Sequence, residues 1–234
     1  MIIPIRYHAL GHGQLSWLDT RYHFSFADYM NPERQGFSVL RVVNDDTIKP
    51  GGGFEMHPHQ NMEIITYVRT GAITHRDSLG NEGKTVAGDV QVMSAGRGII
   101  HAEYNLDPKE TRLYQIWIRP NVLNVEPRWE TKPFPKEQAF DALVLLASGR
   151  EKHKEMGALF IYQDAAIYGG SIIKGDSFRH PVEKGRSVYA LISEGSVSIN
   201  DVSLSAGDGA EIRDCELLYI HANEAAEVLL IDLP

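Results

Sequence analysis

Four residues on two short stretches have the types and the spacing that suit a metal site. His57 and His59 stand two positions apart, and His101 and Glu103 repeat that spacing some forty residues later. Successive side chains of a β-strand point to opposite faces, so residues two apart share a face. If the two strands are neighbours in a barrel, three imidazoles and one carboxylate converge on one point.

Three nitrogens and one oxygen suit a divalent first-row transition metal, and the single negative ligand leaves a net charge of about +1. An octahedral ion would keep open positions, and an open position distinguishes a catalytic metal from a structural one. Sulfur has no part in this site. Cys215 is the only cysteine, so the chain can form neither an intrachain disulfide nor a thiolate-rich cluster, and we interpret it as a small buried hydrophobe.

The elements that must position these residues are predicted to be strands. Short runs rich in β-branched and aromatic residues alternate with glycine-containing turns, which favours an all-β sandwich or barrel. The clearest runs are Ser38–Val43, Glu63–Val68, Leu113–Ile118, Leu143–Leu146, Val188–Ile192 and Val228–Ile231. The only helical candidates are short, at Ala27–Met30 and Lys136–Phe140.

Two domains are predicted within the 234 residues, one over 1–130 and one over 131–234. The stretch Arg119–Lys136 contains four prolines, which interrupt strand pairing and indicate a connector. A weak internal repeat agrees with this division: a glycine followed later by Ala-Gly-Asp occurs at Gly71 and Ala87–Asp89, and again at Gly195 and Ala206–Asp208.

The residues around the four candidate ligands resemble a known family. Gly51, His57-Pro58-His59, Glu63 and Gly71 are similar to the first cupin motif, and Gly88, Gly96-Arg97-Gly98, His101 and Asn105 to the second. Within the cupins, the segments Met93–Asn105 and His57–Glu63 resemble the pirins closely. The resemblance is strong over about 10–130, and in the second half it lies mainly in the last 40 residues.

The resemblance to pirins implies a bicupin fold, in which two antiparallel jelly-roll β-barrels face each other and only the N-terminal barrel binds a metal. It implies that His57, His59, His101 and Glu103 hold one divalent ion. Iron is the first expectation, with nickel, copper, manganese, cobalt and zinc as alternatives. The second half keeps only His180 and His221 at the matching motifs, and we interpret these as packing residues.

Bacterial pirin-like proteins with these ligands are associated with quercetin 2,3-dioxygenase activity, which implies a flavonol-like aromatic substrate and O2. Glu103 is then our candidate proton acceptor, because a carboxylate can loosen from a metal and act as a base. The resemblance also allows a non-enzymatic reading, an iron-dependent regulatory protein like eukaryotic pirin. A third reading is a cupin isomerase or sugar-modifying enzyme.

Two further predictions concern the surroundings of the metal. Glu63 could be a fifth ligand or a proton acceptor beside the metal, but we expect it to accept a hydrogen bond that orients His57 or His59, since metal-bound imidazoles usually donate their second N–H. Four large side chains are expected to line an apolar mouth: Phe54, Met56, Tyr104 and Trp117.

Composition excludes some partners. The formal net charge of −8 argues against direct binding to nucleic acid, which depends on Lys and Arg neutralising phosphates. The N-terminal residues lack the basic start and apolar core of a signal peptide, and the chain has no apolar run of about 18 residues. We therefore expect a cytoplasmic protein, without membrane contact and monomeric.

Overall fold

A computed structural model describes residues 1–134 and 143–234. The described residues form strands with two short 3-10 helices, Tyr7–Ala9 and Glu151–His153. The strands are β1 (Ile2–Ile5), β2 (Gly11–Gln14), β3 (Leu18–Tyr22), β4 (Leu40–Ile48), β5 (Gly53–His59), β6 (Glu63–Thr70), β7 (Ala72–Asp77), β8 (Glu82–Val86), β9 (Val90–Ser94), β10 (Ile99–Tyr104), β11 (Thr111–Ile118), β12 (Arg128–Lys132), β13 (Val144–Ser148), β14 (Leu159–Phe160), β15 (Ala166–Ile172), β16 (Ser177–Pro181), β17 (Ser187–Glu194), β18 (Ser196–Ile199), β19 (Val202–Ser205), β20 (Gly209–Ile212), β21 (Leu217–Ala222) and β22 (Ala226–Leu233). The all-β prediction is confirmed.

The chain divides into two compact units. The N-terminal unit contains Gly11–Phe134 and Leu159–Gln163, and the C-terminal unit contains Met1–Leu10, Asp164–Pro234 and the described part of Pro135–Ala158. In both units a larger and a smaller antiparallel sheet bury apolar side chains between them, as in a jelly roll.

The two units have matching sheet topologies. The small sheet has the strand order β5-β10-β7-β8 in the N-terminal unit and β16-β21-β18-β19 in the C-terminal unit. The large sheet runs β12-β9-β6-β11-β4-β3-β2 in the former, and β1-β20-β17-β22-β15-β13 are neighbours in that order in the latter. Strands β4–β11 and β15–β22 thus occupy matching sheet positions in the same order along the chain, so the bicupin fold repeats one eight-stranded jelly roll.

The short sequence repeat corresponds to the same backbone hydrogen bonds in both units. Ala87 and Gly88 donate backbone hydrogen bonds to the carbonyls of Gly71 and Val68, at 2.8 and 2.9 Å. Ala206 and Gly207 make the same bonds to Gly195 and Ile192, at 2.8 and 2.7 Å. Both Gly71 and Gly195 have a positive φ, at 74° and 69°, a conformation that glycine adopts without steric cost.

Three details of the predicted organisation are wrong. Met1–Leu10 belongs to the C-terminal unit because β1 pairs with β20, and Leu159–Gln163 belongs to the N-terminal unit. The segment Arg119–Lys136 is not only a connector, since β12 pairs with β9 where no proline occurs. Ala27–Met30 forms a turn closed by a Phe26–Tyr29 bridge, with Ala27 at a φ of 48°, instead of a helix. The other helical candidate, Lys136–Phe140, lies outside the described residues.

An apolar core joins the two sheets of the N-terminal unit. Ile48 of β4, Val68 of β6 and Leu113 of β11 pack with Ile73 of β7 and Phe54 of β5. Side chains from the large and the small sheet therefore pack together, and Phe54 and Trp17 at the edge of this core also line a cavity. Within the described residues, no helix is long and apolar enough to cross a membrane.

Candidate metal centre

Three histidines converge at one end of the N-terminal unit. One imidazole nitrogen from each of His57, His59 and His101 lies within 4.8 Å of the corresponding nitrogens of the other two. His57 and His101 are cross-strand partners on β5 and β10, and alternation along β5 brings His59 to the same face. The imidazole centroids are 4.5 to 5.0 Å apart.

The orientation of these imidazoles leaves suitable nitrogens for a divalent metal. The Nδ1 of His57 donates to the carbonyl of Glu55 at 2.6 Å, which leaves its Nε2 as the lone-pair nitrogen. The Nε2 atoms of His59 and His101 are buried and have no hydrogen-bond partner among the described residues. Buried polar nitrogens without protein partners fit a metal site, because metal coordination satisfies them.

Electrostatics keep two of these histidines neutral, as metal ligation requires. Burial, together with the neighbouring His101 and His57, lowers the pKa of His59 to about 3, and Glu103 opposes the shift. Burial likewise lowers the pKa of His101 to about 3, with contributions from His57 and His75. Both imidazoles therefore keep a free lone pair at neutral pH.

Glu103 is buried beside this cluster and is held by two amides. Its carboxylate accepts hydrogen bonds from the Nε2 atoms of Gln91 and of Gln115, the latter at 2.8 Å. The amide oxygen of Gln91 accepts from Thr85 at 2.9 Å and from Trp129 at 3.3 Å. These two donors fix the Gln91 amide so that its NH2 group points to Glu103.

Glu103 groups with a different pair of histidines than the sequence predicts. Its carboxylate, His101 and His75 form a second set whose ligand atoms lie within 4.8 Å of one another. A β-bulge between His101 and Glu103 shifts the register of β10 against β5, so that Glu103 faces Phe54 on β5 and His75 on β7. The structure thus brings three of the four predicted ligands together, and Glu103 adjoins them through His101.

Sequence reasoning missed His75 and Asp77. The Nδ1 atoms of His101 and His75 are 3.3 Å apart, and the Nε2 of His75 is 3.0 Å from the Asp77 carboxylate. Trp129 stacks on the His75 ring with centroids 4.8 Å apart. The signal was present, since His75 and Asp77 have the same two-residue spacing as the predicted ligands, but only the pairing of β7 with β10 reveals their role.

The ionisation state of Asp77 determines which ring nitrogens of His75 and His101 carry protons. Burial raises the pKa of Asp77, but hydrogen bonds from His75, Asn81 and Leu79 outweigh it and hold the pKa below its ordinary value. As a carboxylate, Asp77 accepts from the Nε2–H of His75, and the Nδ1 of His75 is then the acceptor for the Nδ1–H of His101. The Nε2 of His101 is left deprotonated, on the side of His57 and His59.

The interpretation of Glu63 as a group that orients His57 or His59 is wrong. Its carboxylate accepts hydrogen bonds from the Ser94 hydroxyl at 2.8 Å and from the backbone N–H of Tyr162 at 3.1 Å. Burial raises the pKa of Glu63 to about 7, although both hydrogen bonds oppose the rise. Glu63 lies at the start of β6, where its side chain is directed away from the imidazoles to Leu159–Gln163.

A cavity of about 690 Å³ opens at the histidine cluster. Its walls include the four large side chains predicted for an apolar mouth, together with Trp17, Phe26 and Ile64. Trp117 packs edge-on against both Phe26 and His59, with centroids 5.3 and 4.8 Å apart. A cavity of this size and apolar lining is typical of small-molecule sites.

One wall of the cavity is polar. Asn44 and Asp46 of β4 and Gln115 of β11 reach it between the aromatic side chains. Burial raises the pKa of Asp46 to about 7, Thr20 opposes the rise, and the nearby Asp45 and Glu103 add to it. Sequence reasoning missed Asp46, because one of two adjacent aspartates on a strand gives no sign of facing a cavity.

Two matching jelly rolls, with a histidine cluster suited to a metal in one of them, define the class of protein as a bicupin. The chain belongs to the pirin family: the pirin family model matches residues 6–118, and a model described as the quercetinase C-terminal cupin domain matches residues 145–233. It is 50% identical to a pirin-like protein of Caulobacter vibrioides over 95% of both chains. It is 44% identical to a protein of Escherichia coli named quercetin 2,3-dioxygenase, over 96% of this chain and 95% of that one.

A solved structure shows the same fold throughout. The bacterial pirin YhhW of Escherichia coli, in complex with nickel(II), aligns with a TM-score of 0.93 and 41% identity, covering 100% of this chain and 99% of that one. The predicted pirin relationship and bicupin fold are confirmed. The ion in that structure is nickel(II).

Proposed function

We propose that this protein is a metal-dependent dioxygenase that cleaves a flavonol such as quercetin with O2. The observation that carries the proposal is the convergence of His57, His59 and His101 at an aromatic-lined cavity. The relatives named for quercetin 2,3-dioxygenase activity support the reaction class. The 690 Å³ cavity is within the range of sites that enclose molecules of flavonol size.

Four residues would hold one divalent ion: His57, His59, His101 and Glu103. The three imidazoles are neutral donors, and the carboxylate supplies the single negative charge. When bound, the ion supplies Lewis acidity that lowers the pKa of a substrate hydroxyl. The nickel complex of the Escherichia coli relative supports a first-row metal, and we keep iron as the first candidate beside nickel.

Glu103 would accept the proton of the substrate hydroxyl. Its carboxylate is buried and lines the cavity, and the amides of Gln91 and Gln115 hold it there without supplying a charge. The apolar side chains Trp17, Phe54 and Trp117 would enclose the flavonol rings and keep water from the reacting carbons. The second unit takes no part in this proposal.

The test is oxygen consumption and release of carbon monoxide with quercetin, using protein whose metal content is measured. We expect both in a 1:1 ratio, and we expect His57→Ala to abolish both. Glu103→Gln should keep part of the metal, because an amide oxygen still coordinates, and lose most of kcat. If metal-loaded protein consumes no oxygen with any flavonol under any candidate metal, the dioxygenase proposal falls.

A further inference from the structure

The polar wall of the cavity presents side chains from alternate positions of β4. Asn44 and Asp46 both line the cavity and are almost fully buried, with 4% and 1% of their surface exposed. Asp45, between them, points the other way and forms a 2.6 Å ion pair with Arg69. Strand alternation therefore places these two polar side chains on the cavity side, whereas the arginine that pairs with Asp45 lies on the other side.

Asp46 differs from the other buried carboxylates of the N-terminal unit. Each of those has a hydrogen-bonding partner: Arg69 for Asp45, Ser94 for Glu63, His75 for Asp77, and Gln91 and Gln115 for Glu103. Thr20 lies opposite Asp46 on β3 and its hydroxyl lowers the pKa of that carboxyl, but it is not in hydrogen-bonding geometry with it. Among the residues that the structure describes, neither oxygen of Asp46 has a hydrogen-bond partner, and the same holds for Oδ1 of Asn44 and Nε1 of Trp117. Buried polar atoms without partners are rare in folded proteins, and a cluster of them on a cavity wall needs an explanation.

The types of these atoms define the complementary ligand. The two oxygens of Asp46 and the amide oxygen of Asn44 are acceptors, and the indole N–H of Trp117 is a donor. Hydroxyl groups match this set, because each donates one hydrogen bond and can accept another. Anions do not match it, since none of the residues that line the cavity is a lysine or an arginine and Glu103 lies on the same wall.

We propose that Asp46 and Asn44 are specificity-determining residues that receive hydroxyl groups of an aromatic substrate, apart from the hydroxyl that reaches the histidine cluster. This inference rests on the proposed function, because it assigns the substrate class of the same site: polyhydroxylated aromatic compounds. The aromatic walls supply affinity for the rings, and the polar wall selects rings that carry further hydroxyls. A ring without them leaves the acceptors of Asp46 and Asn44 buried and unpaired.

Two flavonols distinguish this role, quercetin with five hydroxyls and 3-hydroxyflavone with one. Binding is measured by tryptophan fluorescence quenching at pH 8 under argon, with the protein carrying the metal with which it is purified, so that no turnover occurs. We expect native protein to bind quercetin at least ~10-fold more tightly than 3-hydroxyflavone. Asp46→Leu should weaken quercetin binding by about that factor and leave the Kd of 3-hydroxyflavone unchanged or lower.

Two further variants control for loss of structure. Asp46→Asn keeps the shape of the side chain and one acceptor oxygen, so it should retain part of the preference for quercetin. Thr47→Val lies next to Asp46, on the opposite face of β4, and should leave both Kd values unchanged. The metal content of each variant is measured alongside.

The inference is overturned if native protein binds the two flavonols equally or binds neither, or if Asp46→Leu leaves the quercetin Kd unchanged. These outcomes are independent of turnover. If quercetin binds with the expected preference and no oxygen is consumed, the dioxygenase proposal fails and the assignment of Asp46 stands.

Discussion

The usefulness of a histidine as a metal ligand depends on which ring nitrogen carries its proton. In this protein a buried chain settles that question for His101, since His75 bonds its Nδ1 and Asp77 bonds His75. The side chains of His75 and Asp77 are completely buried, so water does not compete for these bonds. A partner of this kind orients the ligand and increases its basicity.

Replacing Asp77 with Asn tests whether the hydrogen bonds from Asp77 through His75 determine the tautomer of His101. The Asn amide can donate to Nε2 of His75, which moves the His75 proton to Nδ1 and sets it against the Nδ1–H of His101. His101 must then protonate Nε2, the nitrogen that faces the other histidines. We expect the affinity for Ni(II), measured by competition with a chelator, to fall about 10- to 100-fold. Asp19→Asn is the matched control, because Asp19 pairs with His12 in an exposed contact; an equal loss there, or none in Asp77→Asn, contradicts the relay.

The buried carboxyl of Asp46 predicts a pH-dependent stability. Its pKa rises from 3.8 to about 7 on folding, chiefly through burial. The folded state therefore binds more protons than the unfolded state between these values, so this group lowers the free energy of unfolding as the pH rises from 4 to 7. Asp46→Asn removes this loss of stability, because an amide does not ionise.

In metal-free protein, we expect Asp46→Asn to raise Tm at pH 8 by about 2–4 °C, which corresponds to roughly 1 kcal/mol, and to change it little at pH 4. Thermal unfolding of both proteins at the two pH values measures the difference. The prediction is wrong if the gain is equal at both, because a gain that ignores pH does not come from the charge of Asp46.

At the scale of elements, the two-residue spacing within strands carries most of what the sequence predicts. His57 and His59 share a face of β5 for that reason, and the β-branched runs identify β4, β6, β11 and β17. The sequence does not show which strands pair or where the register shifts. The bulge after His101 and the contact of β7 with β10 arise from long-range pairing. The sequence alone therefore does not predict the roles of His75 and Asp77 or the position of Glu103.

The pairing of β5 with β10 depends on a residue without a side chain. A Cβ at Gly53 would lie 2.4 Å from the carbonyl oxygen of Glu103 and 2.7 Å from the Cα of Tyr104. Both contacts are with backbone, which cannot rotate away. Gly53→Ala should therefore push the end of β5 from β10 and disturb the positions of His57 and Glu103.

For Gly53→Ala we expect a loss of stability on the order of 1–3 kcal/mol and a Ni(II) affinity reduced by more than tenfold. Urea unfolding and chelator competition measure the two effects. Met56→Ala, an exposed position on the same strand, should change neither. A normal metal affinity in Gly53→Ala would show that the centre tolerates a wider spacing of these strands.

At the scale of the whole molecule, the jelly-roll topology occurs twice, and among the described residues the cluster of candidate ligands lies in the N-terminal copy. In the N-terminal unit His57 pairs with His101 across β5 and β10, and in the C-terminal unit His180 pairs with Leu218 across β16 and β21. Following both motifs by register, Val182, Leu218 and Ile220 stand where His59, His101 and Glu103 do. All three are buried in the apolar core of the C-terminal unit.

The histidine at the second motif of the C-terminal unit, His221, does not compensate. His221 pairs with Ser177, not with His180, and its Nδ1 is 2.8 Å from the Ser177 hydroxyl at an exposed position. A divalent ion needs several converging donors, and the register of β16 with β21 offers His180 alone. In the second jelly roll, apolar core side chains occupy the positions that correspond to the other candidate ligands.

We therefore expect one divalent ion per chain, held in the N-terminal unit. Elemental analysis of the purified protein should give a metal-to-chain ratio near one, because a second ion would lack donors. His57→Ala and His101→Ala should each lower the ratio sharply, since removing one of three neutral donors leaves a site that exchanges its metal during purification. His180→Ala and His221→Ala are the matched controls in the second jelly roll and should leave the ratio unchanged. A ratio near two, or a loss of metal in either control, would place a metal in the C-terminal unit and contradict the assignment of a single centre.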